Sequence, residues 1–140
     1  MNKEKILKAL NEALAQEHAC YIRYMTHAAV VRGPYAEAVA SQLKEIAEDE
    51  EEHAQKLRDR IVGLGGTPTM RVEEKDLIMA SSLKEILEVN LKEEDKAIKM
   101  YGSILKEIGT GQEGVLVFET IESILKDEQE HKEELERLME

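Results

Sequence analysis

The sequence predicts an all-α protein, a four-helix bundle with a long crossover between its second and third helices. Three observations predict it. Apolar residues recur at steps of three and four through four long stretches, the spacing of one helix face. Clusters of glycine and proline at Gly33-Pro34, Gly63 to Pro68 and Gly109 to Gly114 divide the chain into those stretches. The chain is also rich in Ala, Leu, Ile, Glu and Lys, with one Phe, no Trp and two Pro, a helix-forming composition. Its 140 residues can bury a substantial core but are few for two, so a single domain over residues 1–140 is expected.

The first helix runs from Lys3. Leu7, Leu10, Leu14, Tyr21, Tyr24, Ala28 and Val31 keep its rhythm, and Glu17 fills the slot between Leu14 and Tyr21. Gly33-Pro34 ends it, because proline cannot continue the hydrogen-bond ladder and glycine accepts the conformation of a helix terminus. The second helix spans about Tyr35 to Val62, with Val39, Leu43, Ile46, Glu50, His53, Leu57, Ile61 and Leu64 on one stripe. Gly63, Gly65, Gly66 and Pro68 break it. Thr67 to Ala80 has no clear period, and its length lets it cross the bundle so that the third helix runs parallel to the second. Ser81 or Ser82 can cap that helix, with Glu85 three residues after Ser82 completing a capping-box pattern. The third stripe carries Leu83, Leu87, Leu91, Ile98, Tyr101, Leu105 and Ile108, and Glu94 occupies its open slot. Gly109, Gly111 and Gly114 turn the chain into a fourth helix from about Glu113 to the end. Val117, Ile121, Ile124, Glu128, His131, Leu135 and Leu138 share its face.

Two stretches carry the chemistry. Glu50-Glu51-Glu52-His53 and Glu128-Gln129-Glu130-His131 both have the Glu-x-x-His spacing, which places the carboxylate and the imidazole on one helix face. Both pairs fall inside the apolar stripe, where an ionised carboxylate is expensive unless something compensates it. The chain also repeats itself. Tyr24 follows Glu17 by seven residues and Tyr101 follows Glu94 by seven; Glu50 follows Glu17 by 33 and Glu128 follows Glu94 by 34. Two similar helical hairpins joined by a long link are therefore expected. Folded with stripes inward, they bring Glu17, Glu50, His53, Glu94, Glu128 and His131 to similar depth. That is the ligand set of a dinuclear carboxylate site: one Glu from each of two helices and a Glu-x-x-His from each of the other two. Two divalent ions carry four positive charges against four carboxylates. Hard oxygen donors with only two nitrogens suit iron or manganese better than copper, and zinc fits the same donors. Iron is the first expectation, because a ferrous pair can deliver two electrons together to O2 or H2O2.

The remaining features bound the function. A net charge of −11 disfavours nucleic acid and anionic lipid as partners and suits attraction of cations. One cysteine, Cys20, excludes an intrachain disulfide and any Cys-x-x-Cys metal site; it reads as a small core residue. Met1 to Leu10 shows neither a signal peptide nor a membrane span, so the cytoplasm is the expected compartment. Tyr24 and Tyr101 read as core residues whose hydroxyls bond ligand carboxylates. His18 is expected exposed, and His27 too far along the helix for the main site. Met25, Met70, Met79 and Met100 read as packing residues. Glu48, Asp49, Glu51, Glu52, Asp127, Glu130 and Glu133 mostly fall off the stripes and read as a solvated acidic face.

These residues resemble the ferritin-like superfamily, and bacterioferritin most closely. The similarity runs over nearly the whole chain: Asn11-Glu12-Ala13-Leu14-Ala15-Gln16-Glu17 with Tyr24 and His27, Asp49 to Ala54, Gly65-Gly66-Thr67-Pro68, and Leu125-Lys126-Asp127-Glu128-Gln129-Glu130-His131. The resemblance implies a ferritin-like four-helix bundle with a diiron ferroxidase centre that oxidises ferrous iron with O2 or H2O2, in iron storage or detoxification. It implies Glu17, Glu50, His53, Glu94, Glu128 and His131 as the ligands, with Glu50 and Glu128 bridging, and a homo-oligomer as the assembly. Where bacterioferritin has its haem-ligating methionine this chain has Glu51, so no haem is expected. The family's short fifth helix has no counterpart in the nine residues after His131, which leaves a hollow storage shell open. A rubrerythrin-like peroxidase would place a carboxylate one turn after Glu94, and here stands Ala97. Two alternatives stand beside the ferroxidase. One is a small diiron or dimanganese oxidase or peroxidase acting on peroxide or an organic substrate; the other is a non-catalytic acidic helical interaction protein.

Overall fold

A computed structural model describes all 140 residues, Met1–Glu140. It contains four long helices and no strand: α1 (Lys3–Val30), α2 (Ala36–Gly63), α3 (Leu83–Ile108) and α4 (Val115–Leu138). Local chemistry sets the ends. Asn2 opens α1 by accepting the Lys5 N–H at 3.1 Å, and Gly33, at φ 110°, lies just past its end. Ser82 opens α3 by accepting the Glu85 N–H at 3.2 Å, as the capping pattern predicts, although Glu85 makes no return bond. Gly109 closes α3 at φ 72°. The fourth helix starts two residues later than expected, because Gln112–Gly114 forms a 3-10 turn. There the turn lies against the end of α3: a Cβ on Gly114 would sit 2.8 Å from Ile108 Cγ2.

Helix α1 packs along α2 and α3 along α4, and α1–α3 and α2–α4 meet across the bundle. The core is two apolar clusters with a polar layer between them. Leu10, Leu14, Leu57, Ile61, Tyr101, Ile121 and Ile124 belong to one cluster; Tyr24, Leu43, Ile46, Ile86, Leu87 and Leu135 belong to the other. On each helix the predicted ligand positions lie at the junction of the two.

The buried face differs from the predicted stripes on α1 and α3. Ile6, Ala13, Cys20 and His27 are buried while Leu7 and Tyr21 are half-buried; Ile86, Asn90, Ala97 and Ile104 are buried while Leu91, Ile98 and Leu105 are half-buried. Small and polar residues on the true inward face carry no apolar signal, which shifts the apparent stripe sideways. Met25, Met70 and Met79 are exposed rather than packed, whereas Met100 packs against the core.

The crossover lies along α1. Asn11 donates to Thr67 O and accepts the Thr69 N–H, the Glu73 N–H donates to Ala15 O, and His18 Nδ1 bonds Arg71 O. Farther on, Arg23 donates to Asp76 O at 2.9 Å and His27 Nε2–H to Ile78 O at 2.9 Å. These anchors climb from Asn11 to His27, about 24 Å of helix. The chain is thereby returned to the far end of α1, and α3 runs parallel to α2 as expected. His18, expected exposed, is half-buried because Arg71 O and Arg58 engage its two ring nitrogens.

A buried polar knot fixes the end of this strap. Arg23, 3% exposed, donates from Nε to Asn90 Oδ1 at 2.8 Å and lies 3.6 Å from Glu93. Asn90 donates to His27 Nδ1 at 2.8 Å, and Lys96 pairs with both Asp76 and Glu93. With Nε2–H donating and Nδ1 accepting, His27 is neutral; burial and the Arg23 charge outweigh its bond to Ile78 O and hold its pKa below the ordinary value. Removing one partner of a buried ionic cluster leaves the rest uncompensated, at a cost of about 3–5 kcal/mol. Arg23→Ala is therefore expected to lower unfolding stability by that amount in urea melts, and a change below about 1 kcal/mol would mean that the knot does not hold the strap.

Candidate metal centre

All six predicted residues converge in the polar layer, and all are almost wholly buried: Glu17, His53 and Glu128 at 0%, Glu50 at 1%, Glu94 and His131 at 2%. Their donor atoms form two sets, each with all atoms within 4.8 Å of one another. One set is Glu17, Glu50, His53 and Glu128; the other is Glu50, Glu94, Glu128 and His131. Glu50 and Glu128 belong to both. One glutamate from each of α1 and α3 and a Glu-x-x-His from each of α2 and α4 build the arrangement, following the internal repeat.

The imidazoles are aimed by carboxylates that sequence reasoning missed. His53 Nε2 lies 2.8 Å from Asp127 Oδ2 on α4, and His131 Nε2 lies 2.8 Å from Asp49 Oδ2 on α2. Each Nδ1 points inward: that of His53 is 3.2 Å from Glu17 and 3.3 Å from Glu50, that of His131 3.0 Å from Glu128. Outer carboxylates of this kind fix the ring orientation and leave the inner nitrogen for a metal. Asp49 and Asp127 each precede the glutamate of a Glu-x-x-His, so the repeated unit is Asp-Glu-x-x-His, and that repetition was the available signal. Both aspartates were expected on the solvated acidic face, and both are part-exposed; what brings them to the site is a histidine on the opposite helix.

Other expectations resolve unequally. Tyr24 donates to Glu94 Oε2 at 2.5 Å, as expected of a tyrosine that holds a ligand carboxylate. Tyr101, expected to do the same, is fully buried with no hydrogen-bond partner. Cys20 is buried, and Arg23 donates to its sulfur at 3.5 Å, consistent with a core residue. His27 belongs to the polar knot and not to the centre.

Electrostatics show what the layer requires. Burial drives the Glu17 carboxyl up to about 7, reinforced by the Glu50 charge and moderated by His53. Burial and the neighbouring carboxylates raise Glu94, and raise Glu128 well above the ordinary range. Glu50 goes the other way: burial opposes its charge, but the neighbouring His53 and Glu128 side chains and the two imidazolium charges hold it at about 2. Burial also opposes the charged imidazoles, yet Glu17 and Glu50 lift His53 to about 11 while Glu94 and Glu50 lift His131 to about 10. Protons thus supply the positive charge when these side chains are alone. Even so, Glu17 Oε1, Glu50 Oε1, Glu94 Oε1, both Glu128 oxygens and His131 Nδ1 lack hydrogen-bond partners. Buried oxygens without donors, all converging on one volume, fit a pair of cations there.

A four-helix bundle with four glutamates and two histidines in two overlapping sets defines the dinuclear carboxylate class of helical metal protein. The ferritin-like domain model matches residues 7–140, and the chain belongs to that family. It is 33% identical to the bacterioferritin of Desulfovibrio desulfuricans over 130 residues, 92% of this chain and 71% of that protein. Among solved structures, a ferritin-like, diiron-carboxylate protein of Bacillus anthracis superposes with a TM-score of 0.91 at 30% identity, covering 99% of this chain and 97% of that one. A dodecameric thioferritin of Bacteroides fragilis, related to bacterioferritin, superposes with a TM-score of 0.88 at 28% identity, over 99% and 86%.

The proton inventory gives a signed pH dependence. His53 and His131 hold their protons more tightly folded than unfolded, so their contribution is complete below their ordinary 6.5 and fades as pH rises toward 10. Glu17, raised from 4.5 to about 7, has the same sign over its own interval. Glu50 contributes fully above 4.5 and is lost only toward pH 2, outside this window. Chelator-treated protein is therefore expected to melt at a higher temperature near pH 6 than near pH 9. A flat or rising profile across that range would contradict the proton distribution.

Proposed function

We propose that the protein is a ferroxidase that oxidises Fe(II) to Fe(III) with O2 or H2O2 at a dinuclear carboxylate-bridged centre, in iron storage or detoxification. The observation that carries this reading is the sharing of Glu50 and Glu128 by the two donor sets. Glu17 and His53 would hold one ion, Glu94 and His131 the other, and Glu50 and Glu128 would bridge them. Iron suits the oxygen-rich donors, and manganese or zinc can occupy the same set. When bound, a ferrous pair supplies two electrons at one place to the oxidant.

The chain's own residues do the rest. To hold an ion, each histidine would release its Nδ1 proton while Nε2–H stays bonded to Asp127 or Asp49, which keeps the ring aimed. Both aspartates reach solvent, so they connect the buried imidazoles with water for proton exchange. Tyr24 holds Glu94. Apolar clusters on both sides of the layer restrict bulk water. Similarity to bacterioferritin and to a diiron-carboxylate protein supports the reading, and the dodecameric relative supports a homo-oligomer.

A second reading, an oxidase or peroxidase acting on peroxide or a small organic substrate, is favoured by one feature. A cleft of about 550 Å³ reaches Glu17 between α1 and α2, with Tyr21, Ile22, Ala54 and Met70 as apolar wall and His18 and Arg58 as polar wall. Stopped-flow absorbance on aerobic addition of Fe(II) separates the readings. The ferroxidase predicts a fast phase saturating near two irons per chain. Glu50→Ala, which removes a bridge, is expected to slow it by more than the roughly 10–100-fold that loss of an outer partner costs. An unchanged rate in that variant would overturn the assignment, and turnover of an organic substrate without iron uptake would replace it with the second reading.

A further inference from the structure

The internal repeat pairs Glu17 with Glu94, Tyr24 with Tyr101, Glu50 with Glu128 and His53 with His131, and one of these pairs is not matched in its bonding. Tyr24 of α1 donates to Glu94 of α3 at 2.5 Å. By the same relation Tyr101 of α3 would donate to Glu17 of α1. Instead the Tyr101 hydroxyl has no partner, at 0% exposure, and Glu17 Oε1 has none either. A buried hydroxyl without a partner is rare enough in folded proteins to require an explanation.

The donors on the two glutamates supply one. Glu94 Oε2 is held by the tyrosine, and His131 Nδ1 stands 3.6 Å away, beyond hydrogen-bond reach. Glu17 Oε2 is held by the imidazole instead, with His53 Nδ1 at 3.2 Å. The two halves therefore differ in whether a phenol or an imidazolium restrains the terminal glutamate. Tyr101 and its symmetry-expected acceptor are thus both left unpartnered in the buried layer, a hydroxyl donor on α3 and a carboxylate oxygen on α1. A metal ion on His53 Nδ1 removes the N–H that restrains Glu17, because the ligating nitrogen cannot carry a proton. Tyr101 is then the unused buried donor that the repeat pairs with that carboxylate.

We propose that Tyr101 is a metal-dependent positioning residue, its hydroxyl donating to Glu17 when His53 binds a divalent cation and standing unpaired when His53 donates to Glu17. The inference rests on the centre binding two metal ions, not on its oxidising iron. Tyr24, by contrast, holds Glu94 in either state.

The two tyrosines consequently differ in sign. Wild type, Tyr101→Phe and Tyr24→Phe would be compared by thermal melting of the chelated protein, by calorimetric titration with Zn2+, which is redox-inert, and by the ultraviolet tyrosine difference spectrum on Zn2+ addition. Chelated Tyr101→Phe is expected to melt at or above the wild-type temperature, since it loses an unpaired buried hydroxyl, and Tyr24→Phe below it. With Zn2+, Tyr101→Phe is expected to bind one of the two ions about 10-fold or more weakly, the size of effect typical of an outer partner. The metal-induced tyrosine difference signal should persist in Tyr24→Phe and disappear in Tyr101→Phe. Binding of both ions by Tyr101→Phe at wild-type affinity, or survival of the difference signal in it, would overturn the positioning role while leaving the metal centre in place. Failure of wild-type protein to bind any divalent ion would overturn both.

Discussion

Four glutamates buried in the middle of a helical bundle must be neutralised, and most of the architecture follows from that constraint. A carboxylate taken out of water without a partner is prohibitively expensive, and here four face one another across a few ångströms. The side chains meet the requirement by drawing protons: the histidines become strong bases, Glu128 a very weak acid, and Glu50 the carboxylate that stays ionised between them. Two divalent cations would meet the same requirement, four positive charges against four carboxylates. The layer is thus poised between protons and metal, with Asp49 and Asp127 keeping the imidazoles aimed in either condition.

The fold serves this layer by holding its four contributing helices in register. Apolar clusters on either side carry the stability that the polar layer cannot, and each helix passes from one cluster to the other through its ligand position. Register between the hairpins depends on the crossover, which is fastened along α1 by Asn11, His18, Arg23 and His27. The Arg23 knot, two turns of α1 beyond Glu17, ties this strap to α3 through Asn90 and Glu93, the latter adjacent to Glu94. A strap residue, Asp76, is thereby coupled to the helix that presents one of the terminal glutamates.

Much of this was legible in the sequence because buried charge is conspicuous against an apolar stripe. Glu17, Glu50, His53, Glu94, Glu128 and His131 each interrupt a helical rhythm, and their repeated spacing specified two hairpins and a dinuclear set. The helix breaks at Gly33, Gly65 and Gly109 were equally plain, since few residues other than glycine adopt the positive φ found there. What escaped is what depends on a partner far along the chain. Asp49 and Asp127 look like solvated acids until a histidine on another helix is placed beside them. Asn90 and His27 give no apolar signal yet are buried because Arg23 and Ile78 O satisfy them. The unequal bonding of Tyr24 and Tyr101 is not legible in the sequence, for each stands seven residues after a glutamate and the difference lies in how His53 engages Glu17.

The central claim is that protons hold the place of two metal ions, and calorimetric titration with a divalent ion in buffers of differing ionisation enthalpy tests it most directly. The account predicts uptake of about two ions per chain near neutral pH with release of at least two protons, one from each imidazolium. Uptake of the ions without net proton release, or saturation at a single ion, would contradict it.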